Sequence, residues 1–223
     1  MNVLIDLLHA RDEAGIISLI SQQPELLSQT DKDGISGFTL IAYHQLHAAF
    51  NVALSLKSDW TIDEATIAGF TEKVKAQLAE SPDLIHTYSP DGFPLLTLAV
   101  YFKQPELAKW YIENGVDIHK TSTNTTSLTA LHSAVAVGDI ETGKLLLKEG
   151  IDVNAKQALD VTPLHAASHR GNLPFVKLLI EYGAETGLQT NKGQTASDLA
   201  KENGYTEVVE YLKDEIVKQK SRT

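Results

Sequence analysis

The chain has 223 residues, with 29 acidic against 19 basic side chains, a formal net charge of -10 and no cysteine. At roughly 100–200 residues per domain this is one large domain or two small ones, and an apolar share of 43% excludes disorder as the main state. Zero cysteine removes disulfides, thiolate nucleophiles and Cys-based metal sites, the acid excess argues against a binder of phosphate backbones, and no apolar run approaches the roughly 18–20 residues of a membrane span.

The N-terminal run Met1–Leu8 is apolar but broken by Asp6, and no basic stretch precedes it. It reads as a surface helix rather than a secretion signal, so a cytoplasmic location is expected. Residues 2–29 are expected to form a capping helix pair. Pro24-Glu25-Leu26-Leu27, Asp33-Gly34, Thr39 and Tyr43 then recur 58 positions later as Pro82-Asp83-Leu84-Ile85, Asp91-Gly92, Thr97 and Tyr101. That offset splits into a full unit, 31–62, and a shortened one, 63–88. The irregular stretch 57–65 between them is the expected place for a kink, and Trp60 within it suits either a filler of the bend or a contact.

From residue 89 the repetition sharpens. Units are expected at 89–123, 124–156 and 157–189, a C-terminal capping unit at 190–217, and a basic tail at 218–223. Thr129-Ala130-Leu131-His132-Ser133-Ala134 returns 33 residues later as Thr162-Pro163-Leu164-His165-Ala166-Ala167, and after another 33 as Thr195-Ala196-Ser197-Asp198-Leu199-Ala200. Glycines 138, 171 and 204 follow at a constant offset, and apolar runs such as Leu145-Leu146-Leu147 come next. The upstream copy Asp91–Ala99 carries Thr97 in the histidine slot.

Each unit reads as helix, turn, helix, loop. Thr162 suits an N-cap and Pro163 the first helical position, where its missing N–H costs nothing. Gly171 breaks the first helix, Asn172 can cap the second, and Gly183 fits the left-handed position after it. Two such short helices cannot bury their faces alone, but stacked copies can.

These units resemble ankyrin repeats. The Thr-Pro-Leu-His-x-Ala core, the following glycine, the leucine run and Gly150-Ile151-Asp152-Val153-Asn154 fit the family's 33-residue pattern. The match is strong over 91–213 and weaker over 1–90. The resemblance implies an all-α ankyrin-repeat solenoid of about seven stacked helix pairs joined by loops or β-hairpin turns, with residues 1–217 as a single domain. It also implies that His132 and His165 hydrogen-bond the capping threonine and the next repeat's backbone.

No nucleophile elbow, zinc-protease helix or phosphate loop is present, so no enzyme activity, cofactor or metal is expected. The pairs His165/His169, on one helix, and His44/His47, three apart, have ligand spacing, but His165 falls in the family's histidine slot and His44/His47 have no third ligand at useful spacing. Trp110 beside Tyr111 reads as core. Asn154 reads as a hydrogen-bonded turn residue.

The resemblance places recognition on the concave face, at the loop tips and first-helix ends. There Phe93, Tyr101, Phe102, Leu128, Val137, Leu159 and Val161 put apolar groups where water is expected, beside His169 and Arg170. Leu128 and Val161 can equally pack between repeats. Lys103 replaces the glycine after the fourth first helix, which implies a longer helix that covers Tyr101 and Phe102. The function implied is a protein–protein interaction module, monomeric, with neither nucleic acid nor membrane as partner. A partner with a basic patch is favoured by the net charge. The alternatives are a ligand- or metal-sensing regulator, with its pocket near 57–70 or at His44/His47, and a self-associating structural array.

Overall fold

The computed structural model describes residues 1–220, with side chains described through residue 217. Fourteen α-helices and three short 3₁₀ turns occur among the described residues, and three isolated antiparallel bridges stand in place of strands. The all-helical architecture of paired helices that the resemblance implies is therefore what forms. The chain divides into two compact units, residues 1–95 and 96 onward.

The first unit holds α1 (Asn2–His9), α2 (Glu13–Gln22), α3 (Gly37–Tyr43), α4 (His47–Leu56), α5 (Ile62–Ala68) and α6 (Thr71–Glu80). Its core is a row of apolar residues from successive helices: Leu4, Leu8, Ile16, Ile20, Phe38, Ile41, Ala49, Ala65 and Val74 are all essentially inaccessible. Hairpin turns close at Thr30–Ser36 and at Tyr88–Pro94. Between α4 and α5 the chain crosses directly, through residues 57–61. Trp60 settles its own ambiguity there. Its ring packs edge-on to Phe38 at 5.0 Å and to Phe70 at 4.7 Å, so it fills the crossing.

The second unit holds the rest of α7 (Leu95–Tyr101), then α8 (Pro105–Glu113), α9 (Ala130–Val137), α10 (Ile140–Lys148), α11 (Pro163–His169), α12 (Leu173–Glu181), α13 (Ala196–Glu202) and α14 (Thr206–Lys220). Leu131, Ala134, Leu146, Leu164, Ala167, Phe175, Leu179 and Ala200 are buried in its core. Tyr111 is fully buried, whereas Trp110, expected as core, is only half-buried. One step along the helix turns the smaller ring inward and leaves the indole at the margin. The remainder of the basic tail, 221–223, lies outside the described residues.

The starts of the helices follow from hydroxyl and amide chemistry. Ser36, Thr61, Thr129, Thr162 and Thr195 each accept the N3 backbone N–H of a first helix, and Asp12, Asp139 and Asn172 do the same for second helices. First helices end on a left-handed residue. Gly138 occupies that place with φ 73, where a side chain would strain the backbone. Lys103 adopts the same conformation with φ 56. The helix before it therefore ends at Tyr101 and is not lengthened; the turn geometry of the repeat overrides the residue's preference.

Candidate interaction surface

The best-formed repeats fix their hairpin tips through histidine. His132 Nδ1 faces the Thr129 hydroxyl at 2.8 Å and accepts the Thr129 backbone N–H at 3.4 Å, while Nε2 lies 3.2 Å from the Val161 carbonyl of the next repeat. His165 repeats this on Thr162, its Nε2 reaching the carbonyls of Leu188 at 3.1 Å and Gln194 at 3.2 Å. A carbonyl can only accept, so Nε2 carries the proton and the ring is neutral. Burial pushes the His132 imidazole down to about 4, against a smaller opposing effect of the Val161 carbonyl. His165 is lowered for the same first reason. These rings therefore act as struts that hold each hairpin against the preceding helix, in the structural role expected for them.

The tips are also joined backbone to backbone. Ala158 N–H donates to the Thr126 carbonyl at 2.8 Å, and Asn191 N–H to the Leu159 carbonyl at 2.9 Å. On the second-helix side of the same repeats, Glu185 N–H donates to Asn154 Oδ1 at 3.0 Å, so Asn154 is a hydrogen-bonded turn residue.

The sequence-predicted surface residues fall into two groups. Leu159, His169 and Arg170 are exposed. Leu159 is 61% exposed. It sits in the left-handed region with φ 64, followed by Asp160 with φ 58. Phe93, Tyr101, Phe102, Leu128, Val137 and Val161 are half-buried. Phe93 belongs to the first unit, in the hairpin where its N–H donates to Ser89 Oγ at 3.0 Å. The others belong to the second. Tyr101 and Phe102 meet edge to face at 5.2 Å. Leu128 N–H donates to Ser122 Oγ at 2.8 Å inside its hairpin, and the Val161 carbonyl accepts both Gln157 N–H and the His132 ring. Leu128 and Val161 thus have backbones occupied in the tip scaffold, with side chains only partly open to water.

The first unit contains a polar cluster with no sequence motif. Lys57, with its side chain 2% exposed, lies 3.2 Å from Glu64, 4% exposed, and donates to Ser28 Oγ at 2.7 Å. Glu64 accepts from Ser36 Oγ at 2.5 Å and from Thr61 N–H at 3.1 Å. A cavity of about 120 Å³ adjoins this cluster, with Asp63 and Asp91 also on its wall. Desolvation pushes the Asp63 carboxyl up, and the charges of Glu64 and Asp91 add to it. The only signal for the cluster was Glu64 in the slot that holds histidine in later repeats.

The His9 and His44 ring centroids are 6.4 Å apart; His44 follows the end of α3 and His47 opens α4, so the expected His44/His47 pair does not share a helix. Among the described residues no group of three or more His, Asp or Glu is placed to hold a metal ion, and no helix is long and apolar enough to cross a membrane.

Family profiles described as ankyrin repeats match residues 157–222 in a three-copy form, and 95–147 and 131–180 in a many-copy form. The chain is 32% identical over 199 residues to the probable 26S proteasome regulatory subunit p28 of Saccharomyces cerevisiae, spanning 82% of this chain and 86% of that protein. It is 38% identical over 86 residues to protein phosphatase 1 regulatory subunit 27 of Homo sapiens, spanning 39% of this chain and 55% of that one. It is 30% identical over 125 residues to alpha-latrotoxin-Lg1a of Latrodectus geometricus, spanning 55% of this chain and 9% of the toxin.

Proposed function

The chain belongs to the ankyrin-repeat family, and from that premise we propose that it is a non-enzymatic interaction module that holds a partner protein on the concave face expected of such arrays. In the second unit that face comprises Tyr101, Phe102, Leu128, Val137, Leu159, Val161, His169 and Arg170. Two of the relatives are named as regulatory subunits, of the 26S proteasome and of protein phosphatase 1. Their names support a reading in which this chain, too, docks on a larger assembly. The reading has the chain cytoplasmic and monomeric, with protein as its only macromolecular partner.

Leu159 carries the argument. A leucine in the left-handed region costs roughly 1–2 kcal/mol, and here it also leaves its side chain 61% exposed. The left-handed backbone turns the hairpin closed by the Gln157–Val161 bridge, and the largely exposed side chain suits an anchor presented from a tip that is already rigid. Stacked, bonded tips lose little entropy on association.

The test separates folding from binding. Leu159→Gly relieves the backbone strain and deletes the anchor, so thermal stability is expected to hold or rise while partner capture from the native cell falls. Tyr101, Phe102 and Leu159 changed together to Ser are expected to abolish capture. Undiminished capture by the still-folded triple variant, read by affinity purification and mass spectrometry, would overturn the assignment.

A further inference from the structure

The histidine pair of the first unit stands apart from the interaction surface and rests on none of its argument. Imidazole is the commonest side-chain ligand for late first-row divalent metals, and the nitrogen free to ligate is chosen by the bond the other one makes. His44 Nδ1 lies 2.8 Å from the Leu40 carbonyl. The carbonyl can only accept, so Nδ1 carries a proton, and in the neutral ring Nε2 has the lone pair to offer. A backbone carbonyl that accepts from the other ring nitrogen is a usual outer support of a metal-binding histidine.

His9 supplies the second ring. It ends α1, is exposed, and its ring plane is tilted 47° from that of His44. Both rings line a groove of about 460 Å³, together with the apolar Ile5, Leu8 and Leu40 and the carboxylate-bearing Asp31. With metal–nitrogen bonds of about 2.0–2.1 Å, two imidazoles on one ion have ring centres roughly 5–6.5 Å apart. The observed 6.4 Å lies at the wide end of that range, and a rotamer adjustment of the exposed His9 closes it. The groove leaves room for water on the remaining coordination positions.

We infer that His9 and His44 form a two-imidazole site for a divalent late first-row metal ion, with water completing its coordination. The ion would tie the end of α1 to the end of α3 across the groove. Affinity is expected to be highest for Cu²⁺ among Zn²⁺, Ni²⁺ and Cu²⁺, as for nitrogen ligands generally.

The experiment is a calorimetric titration of the full chain, carrying no histidine tag, with ZnCl₂, NiCl₂ and CuCl₂ in turn. One saturable equivalent is expected. His9→Gln and His44→Gln each remove a direct ligand, so each is expected to weaken binding by at least about tenfold, the cost of losing even an outer support. His47→Gln is expected to leave it unchanged. His9 is exposed, so its variant keeps the fold, which circular dichroism checks. No saturable binding of any of the three ions would overturn the site. So would an affinity that survives His9→Gln, because binding would then lie elsewhere.

Discussion

At the scale of single residues, the two strut histidines show how one side chain can tie together a cap, a helix and the next repeat. Their function depends on neutrality. Adding a proton to Nδ1 of His132 would set it against the Thr129 backbone N–H that now donates to it. The folded state therefore binds fewer protons than the unfolded chain between the ordinary imidazole value near 6.5 and the folded value of about 4. This contribution is fully present above pH 6.5 and is lost as the pH falls toward 4. Its size is about 3 kcal/mol for His132. Urea unfolding followed across this range is expected to show that loss, with a shallower pH slope in His132→Gln. An equal slope in the variant would remove His132 as the cause. The pairing of His9 with His44 marks the limit of residue-level reading. Helical spacing points from His44 to His47, and only the packing of α1 against the end of α3 brings His9 into place.

At the scale of elements, the shortened repeat is the informative one. Its first helix, α5, begins with a capping box in which Thr61 and Glu64 satisfy each other's backbone N–H. Glu64 stands where later repeats carry His132 and His165. Those histidines reach forward to the next hairpin, whereas Glu64 reaches the buried Lys57 and the preceding Ser36. Truncating one member of a buried pair leaves the other charge without compensation and costs roughly 3–5 kcal/mol. Lys57→Met is expected to destabilise by that amount in urea melts. Adding Glu64→Gln keeps the hydrogen bonds of the cap and removes the orphaned charge, so the double variant is expected to recover a large part of the loss. Additive single effects would mean that the pair is not coupled. A second element-level feature was equally hidden: Glu13 of α2 accepts the N–H groups of Ala48 and Ala49 at 2.7 and 3.1 Å and so caps α4 from a distance.

At the scale of the whole molecule, the acid excess takes a role in encounter under the proposed function. A net charge of -10 raises the association rate with a basic partner and does so less as salt screens it. The association rate with the captured partner is expected to fall as ionic strength rises, while the dissociation rate, set on this proposal by anchors such as Leu159, is expected to change little. Stopped-flow or surface-plasmon measurements at several salt concentrations check this, and a salt-independent association rate would remove electrostatic steering from the mechanism. The architecture itself was largely legible. Seven helix pairs among the described residues follow from the 33-residue period, and the hydroxyl caps and left-handed glycines mark their ends. The surface was less legible. Leu159, His169 and Arg170 are exposed, but six other named residues are half-buried, because their hairpins and helix ends pack beside neighbouring repeats.

The sequence by itself determined whatever is local or periodic: helix starts at Thr129, Thr162 and Thr195, helix stops at glycine, the slot of each strut histidine, and the family. These depend on contacts within a few residues, or on one contact repeated at a constant offset. The tertiary structure alone decided the buried Lys57–Glu64 pair, the capping of α4 by Glu13, the bonding of the tips through Thr126, Leu159 and Asn191, and the His9–His44 pair. The physical reason is that each of these needs two segments from different helix pairs to meet. Stacking sets that meeting, and no composition or spacing along the chain encodes which polar groups it will bring together.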